Sequence, residues 1–164
     1  MAVAVASARS HAGEVLYHVT GVDQDTSQGR ERAAALARAK FPFKTTDESL
    51  SEALVRCHLH GNLVTTTDES VYASADVVVI DIPLDIPFQD DKPQLEMAEF
   101  EQAFRAIAKR IPPGALILVE TTVPPGTCER VLRPVLIEEL DERGLGSESV
   151  PAFSFYDWSR CCVG

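Results

Sequence analysis

Two stretches of this chain hold residue types that could do chemistry. The first is Gly21-Val22-Asp23, where a carboxylate ends an apolar and β-branched run that starts at Val15. An acid at the carboxyl end of a strand can accept hydrogen bonds from the hydroxyls of a nucleotide ribose. It can also be a solvated turn acid in Asp23-Gln24-Asp25, and taken alone that is the simpler reading. The second stretch is Glu120-Thr121-Thr122-Val123-Pro124-Pro125-Gly126-Thr127, which joins an apolar run to a helix-forming segment through two prolines. Proline fixes φ, so the threonine hydroxyls would sit on a pre-shaped loop and could orient a substrate group or a water beside a helix N-terminus. A plain strand-to-helix turn with capping threonines fits the same residues equally well.

Both stretches need elements to hold them, and the pattern of the chain supplies these. Small residues from Ala2 to Ser10 read as a helix, and Val15 to Asp23 as a strand. Alanine-rich Arg30 to Lys40 is a strong helix former that stops at Phe41-Pro42, and Leu50 to His60 is a second helix closed by Gly61. Leu63 to Thr67 predicts a short strand, Asp68 an N-cap for a brief helix to Ala73, and Asp76 to Asp81 a fully buried strand. An acidic, proline-containing loop runs from Pro83 to Pro93. Phe100, Phe104, Ile107 and Ala108 then recur at helical spacing, and Ala115 to Glu120 is another apolar strand. Thr127 is placed to cap a helix running to about Arg143, with Pro134 as a kink. Strands alternating with helices predict an α/β fold, a doubly wound, Rossmann-like parallel sheet covered on both faces. In such sheets ligands lie beyond the carboxyl ends of the strands, where Asp23 and Thr122 fall.

With 164 residues the chain has room for one α/β domain but not for a cofactor domain plus a substrate domain. Residues 1–150 read as that domain and 151–164 as a divergent tail. A formal net charge of −10 repels phosphate backbones and anionic lipid, so neither nucleic acid nor membrane is an expected partner. No apolar stretch is long enough to span a bilayer, and the opening Met-Ala-Val-Ala-Val-Ala-Ser-Ala-Arg lacks the basic start of a signal peptide. The expected location is cytoplasmic. Cys57, Cys128, Cys161 and Cys162 have no paired CxxC spacing and read as reduced, structural thiols.

Gly21-Val22-Asp23, Thr66-Thr67-Asp68, Ala75-Asp76-Val77-Val78-Val79-Ile80 and Glu120 through Thr127 occur in an order that resembles the UDP-glucose/GDP-mannose dehydrogenase family. The resemblance covers roughly Ala2 to Gly144, and Thr-Val-Pro-Pro-Gly-Thr is its most specific motif. It implies an NAD-dependent oxidoreductase of polysaccharide biosynthesis that oxidises the C6 alcohol of a nucleotide sugar to a carboxylate, reducing two NAD in succession. By the same resemblance Asp23 would bind the adenosine ribose, Ile82-Pro83-Leu84 would line the cofactor groove, and Thr122 would act in catalysis near the nicotinamide and a water. The implied partner is a nucleotide-sugar substrate, and a homo-oligomer is compatible with it.

The departures from the family pattern set further expectations. An acid of this kind stands about 20 residues beyond a GxGxxG fingerprint, which would place that fingerprint just before Met1. The reading is therefore of a domain without its first strand and glycine loop. It also lacks the substrate domain that carries the nucleophilic cysteine and an oxyanion-stabilising lysine. Ala152-Phe153-Ser154-Phe155-Tyr156-Asp157-Trp158-Ser159-Arg160 offers no secure counterpart of the family's catalytic glutamate. Such a fragment is expected to have no turnover alone, to bind NAD weakly or not at all, and to fold marginally. The alternative is a non-catalytic nucleotide-binding or regulatory module. A phosphoacceptor domain built on Asp81 is disfavoured because Glu120-Thr121 provides no lysine after the later strand.

Other clusters have plain readings. Cys57, His58 and His60 close a helix without a fourth metal ligand, so a partly exposed helix end is expected and no metal. Asp85, Asp90 and Asp91 lack calcium-loop spacing. Arg9, Arg30, Arg32 and Arg38 read as solvated charge on alanine-rich helices.

Overall fold

The computed structural model describes residues 1–82, 84, 88–89, 92–93, 97–145 and 154–157. Two compact units divide the chain, Met1–Glu69 and Ser70–Gly164. Each is built from parallel strands joined through helices, the Rossmann-like α/β architecture that the alternating pattern predicts.

In the first unit, helix α1 (Ala2–Ala6) precedes β1 (Val19–Val22), followed by α2 (Ser27–Leu36), α3 (Glu48–His60) and β2 (Leu63–Thr66). β1 and β2 pair in parallel, Val19 opposite Leu63 and Val22 opposite Thr66. The helices start where side chains satisfy their free N–H groups. Thr26 accepts from Gly29 N at 3.0 Å, and Asp47 from Leu50 N at 3.1 Å. α3 ends at Gly61, whose φ of +66° no β-carbon obstructs. α2 stops at Leu36, four residues short of Lys40, because the chain turns back through Ala39 at φ +55°.

The apolar core of this unit is small: Val3, Ala6, Leu54 and Cys57 are its buried hydrophobic residues. Asn62 is buried with them and ties three segments together. Its amide nitrogen donates to Ala6 O at 2.7 Å and Tyr17 O at 3.0 Å, while its Oδ1 is buried without a partner. Cys57 is fully buried near Ser7, 3.4 Å from sulfur to hydroxyl, while His58 and His60 are exposed, so the helix end is partly exposed. The position is explained by helical spacing, which sets Cys57 on the same face as Leu54, three residues back.

The second unit contains β3 (Val77–Ile80), the short antiparallel pair β4 (Phe88–Gln89) and β5 (Lys92–Pro93), α4 (Ala98–Ala108), β6 (Leu116–Val119), α5 (Arg133–Glu142) and β7 (Ser154–Asp157). A turn of 3₁₀-helix, Glu69–Ser74, leads into it. β3, β6 and β7 form one parallel sheet in that order, with Val77 opposite Leu116 and Leu116 opposite Ser154. β7 lies beyond the last element that periodicity identified.

Val78, Ile80, Ile117 and Val119 face a core filled by Phe100, Phe104, Ile107 and Ala108 of α4 and Val135, Leu136 and Leu140 of α5. On the opposite face, expected to be covered as well, Val77 is 51% and Val79 39% exposed among the described residues. Right-handed crossovers that advance the same way along a sheet put their helices on the same side, so α4 and α5 both cover one face.

Polar groups lock the helix pair. Arg105 of α4 bonds Glu138 and the buried Glu139 of α5, both at 2.7 Å, and Arg143 donates to Ala108 O and Ile111 O beyond the end of α4.

The helix expected from Thr127 to about Arg143 is not uniform: a π-helical turn, Cys128–Leu132, runs directly into α5, and Pro134, which has no N–H to give to the preceding turn, stands at that junction.

Candidate functional site

β1 delivers Asp23 to its carboxyl end, where the Asp23 N–H donates to Thr66 O at 3.0 Å. α2 follows at once, and its first turn lies against the acid. Gly29 permits that approach: a β-carbon there would stand 2.0 Å from Gln24 O and 3.3 Å from Asp23 Oδ1. One helical turn further, Arg32 reaches back over the gap. Its Nε donates to Asp23 Oδ2 and its Nη2 to Oδ1, each at 2.7 Å, while the Gln24 N–H reaches Oδ1 at 2.8 Å. This is a bidentate, charge-assisted pair with planar geometry on both sides.

The hydrogen bonds from Arg32 hold the Asp23 carboxyl below the ordinary carboxylate range; partial burial opposes them and the Gln24 N–H adds to them. Asp23 is therefore an anion at neutral pH. Its side chain is 30% exposed and that of Arg32 40%, so the pair can be reached by a ligand. Beside it, Arg30 pairs with Asp25 at 2.5 Å and, among the described residues, donates to no other carboxylate. Arg30 remains solvated charge, as its sequence setting implies, in an exposed pair with Asp25, whereas Arg32 is a part-buried cation engaged with Asp23. Asp23, Asp25, Arg30 and Arg32 flank a glycine that lets the helix close on the acids, though residue order alone does not say which arginine meets which acid.

In the second unit, β6 carries Thr121 and Thr122 to its carboxyl end. Thr121 is the stitch between strand ends: its hydroxyl accepts from Ile82 N at 2.9 Å and lies 2.9 Å from Ile82 O as a donor. Glu120 N and Thr121 N both donate to Ile80 O. Thr122 is exposed, and its side chain takes no hydrogen-bond partner among the described residues. Its hydroxyl faces solvent where that of Thr121 is engaged. Sequence reasoning singled out Thr122 and passed over Thr121, because nothing in the order of residues tells which of two adjacent threonines turns inward.

The loop after Thr122 is shaped as its prolines imply. Val123 is buried, and Gly126 takes φ +86°. Thr127 does not cap the following helix. Its φ and ψ are already helical, and its hydroxyl donates back to Pro124 O at 2.8 Å, so no oxygen is left aimed at the helix amides. Ile82 and Leu84 pack half-buried against the core of this unit, which fixes the turn after β3; Pro83 lies outside the described residues. Asp85, Asp90, Asp91, Cys161 and Cys162 also lie outside them. Among the described residues no three His, Cys, Asp or Glu side chains come together as a metal-holding group, and no helix is long and apolar enough to cross a membrane.

An acid at the carboxyl end of a parallel strand, a close-packed helix behind it, and a proline-shaped threonine loop after another parallel strand define a Rossmann-like nucleotide-binding α/β protein. The model of the UDP-glucose/GDP-mannose dehydrogenase family NAD-binding domain matches residues 4–154, and the chain belongs to that family. The family is one of NAD-dependent oxidoreductases acting on nucleotide sugars.

A relative of known activity, the UDP-N-acetyl-D-mannosamine dehydrogenase of Methanocaldococcus jannaschii, is 26% identical over 117 residues, 71% of this chain and 25% of that protein. Among solved structures, the NDP-N-acetyl-D-galactosaminuronic acid dehydrogenase of Methanosarcina mazei Go1 superposes with a TM-score of 0.74 at 25% identity, over 93% of this chain and 30% of that one. A ternary complex of GDP-mannose dehydrogenase from Pseudomonas aeruginosa shares the fold, with a TM-score of 0.69 at 22% identity over 94% and 31%. The chain thus spans between a quarter and a third of the length of these relatives.

Two features of the first unit fit NAD. Asp23 is a reachable anion at the carboxyl end of β1, and Gly29, where a β-carbon would meet Gln24 O at 2.0 Å, lets the first turn of α2 pack directly behind it.

Proposed function

We propose that this chain is the nucleotide-binding part of an NAD-dependent nucleotide-sugar 6-dehydrogenase, a cytoplasmic oxidoreductase that converts the C6 alcohol of a UDP- or GDP-sugar to a uronate. The observation that carries this reading is Asp23: an ionised, accessible carboxylate at a parallel strand end, in a chain whose family uses NAD. Asp23 would hold the adenosine ribose by accepting a hydroxyl hydrogen. Ile82, Pro83 and Leu84 would line the cofactor groove. Thr122, whose hydroxyl is exposed and free while Thr121 is consumed in the strand-end stitch, would orient a water or the nicotinamide amide near the reacting carbon.

NAD supplies the hydride acceptor when bound. What this chain's own residues contribute is binding and orientation. The nine glycines of these 164 residues include no GxGxxG run, so these residues by themselves offer no fingerprint loop of N–H donors to a pyrophosphate. None of the described residues is a cysteine set for nucleophilic attack: Cys57 and Cys128 are both buried. The chain alone is therefore expected to bind NAD weakly through its adenosine end and to form no uronate, with nucleotide sugar as partner only in a fuller assembly.

Saturation-transfer NMR with NAD tests the reading, run together with an absorbance assay for NADH from UDP-glucose, UDP-N-acetylmannosamine or GDP-mannose. Transfer strongest at the adenosine ribose protons, with no NADH formed, is expected. Transfer confined to the nicotinamide end, or steady NADH production, would contradict it.

A further inference from the structure

We infer that Arg32 makes the ribose site around Asp23 tolerant of a 2′-phosphate, so that the site takes 2′-phosphorylated adenosine ligands as well as plain ones. The inference rests on the proposed role of Asp23 and adds a specificity-determining residue to it.

The atoms left over by the Asp23–Arg32 pair carry the inference. Arg32 uses one edge of its guanidinium, Nε and Nη2, on the carboxylate. The other edge, Nη1 and the second hydrogen of Nη2, donates to no described residue, and the side chain is 40% exposed. A planar guanidinium can bind two oxyanions at once, one on each edge.

The acid has less to spare. An ionised carboxylate offers roughly four lone-pair sites. Arg32 Nε, Arg32 Nη2 and Gln24 N take three, two of them on Oδ1. Room remains for one hydroxyl, on Oδ2.

One free acceptor beside one free, charged donor edge matches a ribose that presents a hydroxyl on one carbon and an oxyanion on the next. A 3′-hydroxyl on Asp23 Oδ2 with a 2′-phosphate on the outer edge of Arg32 uses both. A lone carboxylate would repel that phosphate. Here Asp23 is paired with Arg32 and Asp25 with Arg30, so each of these two acids has its charge offset by a cation within a chain of net charge −10. Gly29 keeps the pair in place from behind, since any β-carbon there would press on Gln24 O and Asp23 Oδ1.

The test uses the full chain and two small probes that need no pyrophosphate cradle, 2′-AMP and 5′-AMP. Each is titrated at low ionic strength while the Arg32 Nε–H and the Asp23 and Gln24 amide resonances are followed by NMR. The expected result is that 2′-AMP binds at least as tightly as 5′-AMP and shifts Arg32 Nε–H. Arg32→Ala should weaken 2′-AMP by about tenfold or more with a much smaller effect on 5′-AMP, and Arg32→Lys, which keeps the charge but loses the fork, should fall between.

If 5′-AMP moves Asp23 and 2′-AMP binds far more weakly, the inference fails and the ribose role of Asp23 stands. If neither probe moves these resonances, both fail. An equal loss of both probes in Arg32→Ala, with the fold intact by circular dichroism, would show that Arg32 only positions the acid, and would overturn the inference.

Discussion

Arg32 grips Asp23 through two parallel 2.7 Å hydrogen bonds, and the two residues are nine positions apart across the start of a helix. The pair does two things at once. It fastens α2 to the end of β1, and it keeps the acid ionised with its carboxylate plane fixed.

A pH dependence follows from the depressed Asp23 carboxyl. Its folded pKa lies below the ordinary 3.8, so its contribution to stability is fully present above that unfolded value and is lost as pH falls through the folded one. Asp23→Asn should lower the melting temperature by a constant amount between about pH 7 and pH 5, and the gap to the parent chain should close below about pH 4. A gap that persists unchanged in acid would mean the substitution acts through packing rather than through charge.

Thr121 and Thr122 should separate cleanly on substitution. Thr121→Val leaves Ile82 N and Ile82 O without their partner and should cost about 1–2 kcal/mol in denaturant unfolding. Thr122→Ala removes an exposed hydroxyl and should stay within about 0.5 kcal/mol. A larger loss at Thr122 than at Thr121 would show that the inward threonine has been misassigned.

Gly29→Ala sets two effects against each other. Helix propensity alone favours alanine by about 1 kcal/mol. The new β-carbon, however, would lie 2.0 Å from the backbone oxygen of Gln24, which cannot move aside without shifting the chain at Asp23. The steric term should win, giving a net destabilisation of roughly 1–3 kcal/mol. Thermal unfolding checks the sign: an unchanged or raised melting temperature would show that the first turn of α2 can back away from the acid.

Much of this architecture was legible in the residue order, for identifiable reasons. Val77-Val78-Val79-Ile80 and Leu116-Ile117-Leu118-Val119 announce strands by composition, and Phe100, Phe104, Ile107 and Ala108 mark one helix face by spacing. Asp23 and Thr122 could be placed at strand ends on the same grounds. Partners across space could not. Nothing local distinguishes Arg32, which closes on Asp23, from Arg38 a turn and a half later, and nothing local turns Thr121 inward. The competing signal at Thr127 was stronger than the cap rule: Pro124 and Gly126 fold the loop so that its hydroxyl meets a carbonyl instead of the helix amides. The exposed side of β3 was hidden for another reason, since an all-apolar strand does not say which of its faces the helices will cover.

The role assigned to Asp23 is tested most directly by titrating NAD into the isotopically labelled chain and its Asp23→Asn variant, following the amides of Asp23, Gln24 and Thr66 by NMR. Dose-dependent shifts at these positions are expected in the parent chain, with affinity weakened by about tenfold or more in the variant while its fold is retained. NAD binding of equal strength in the variant, or shifts that spare the end of β1, would contradict the assignment of Asp23 to the adenosine ribose.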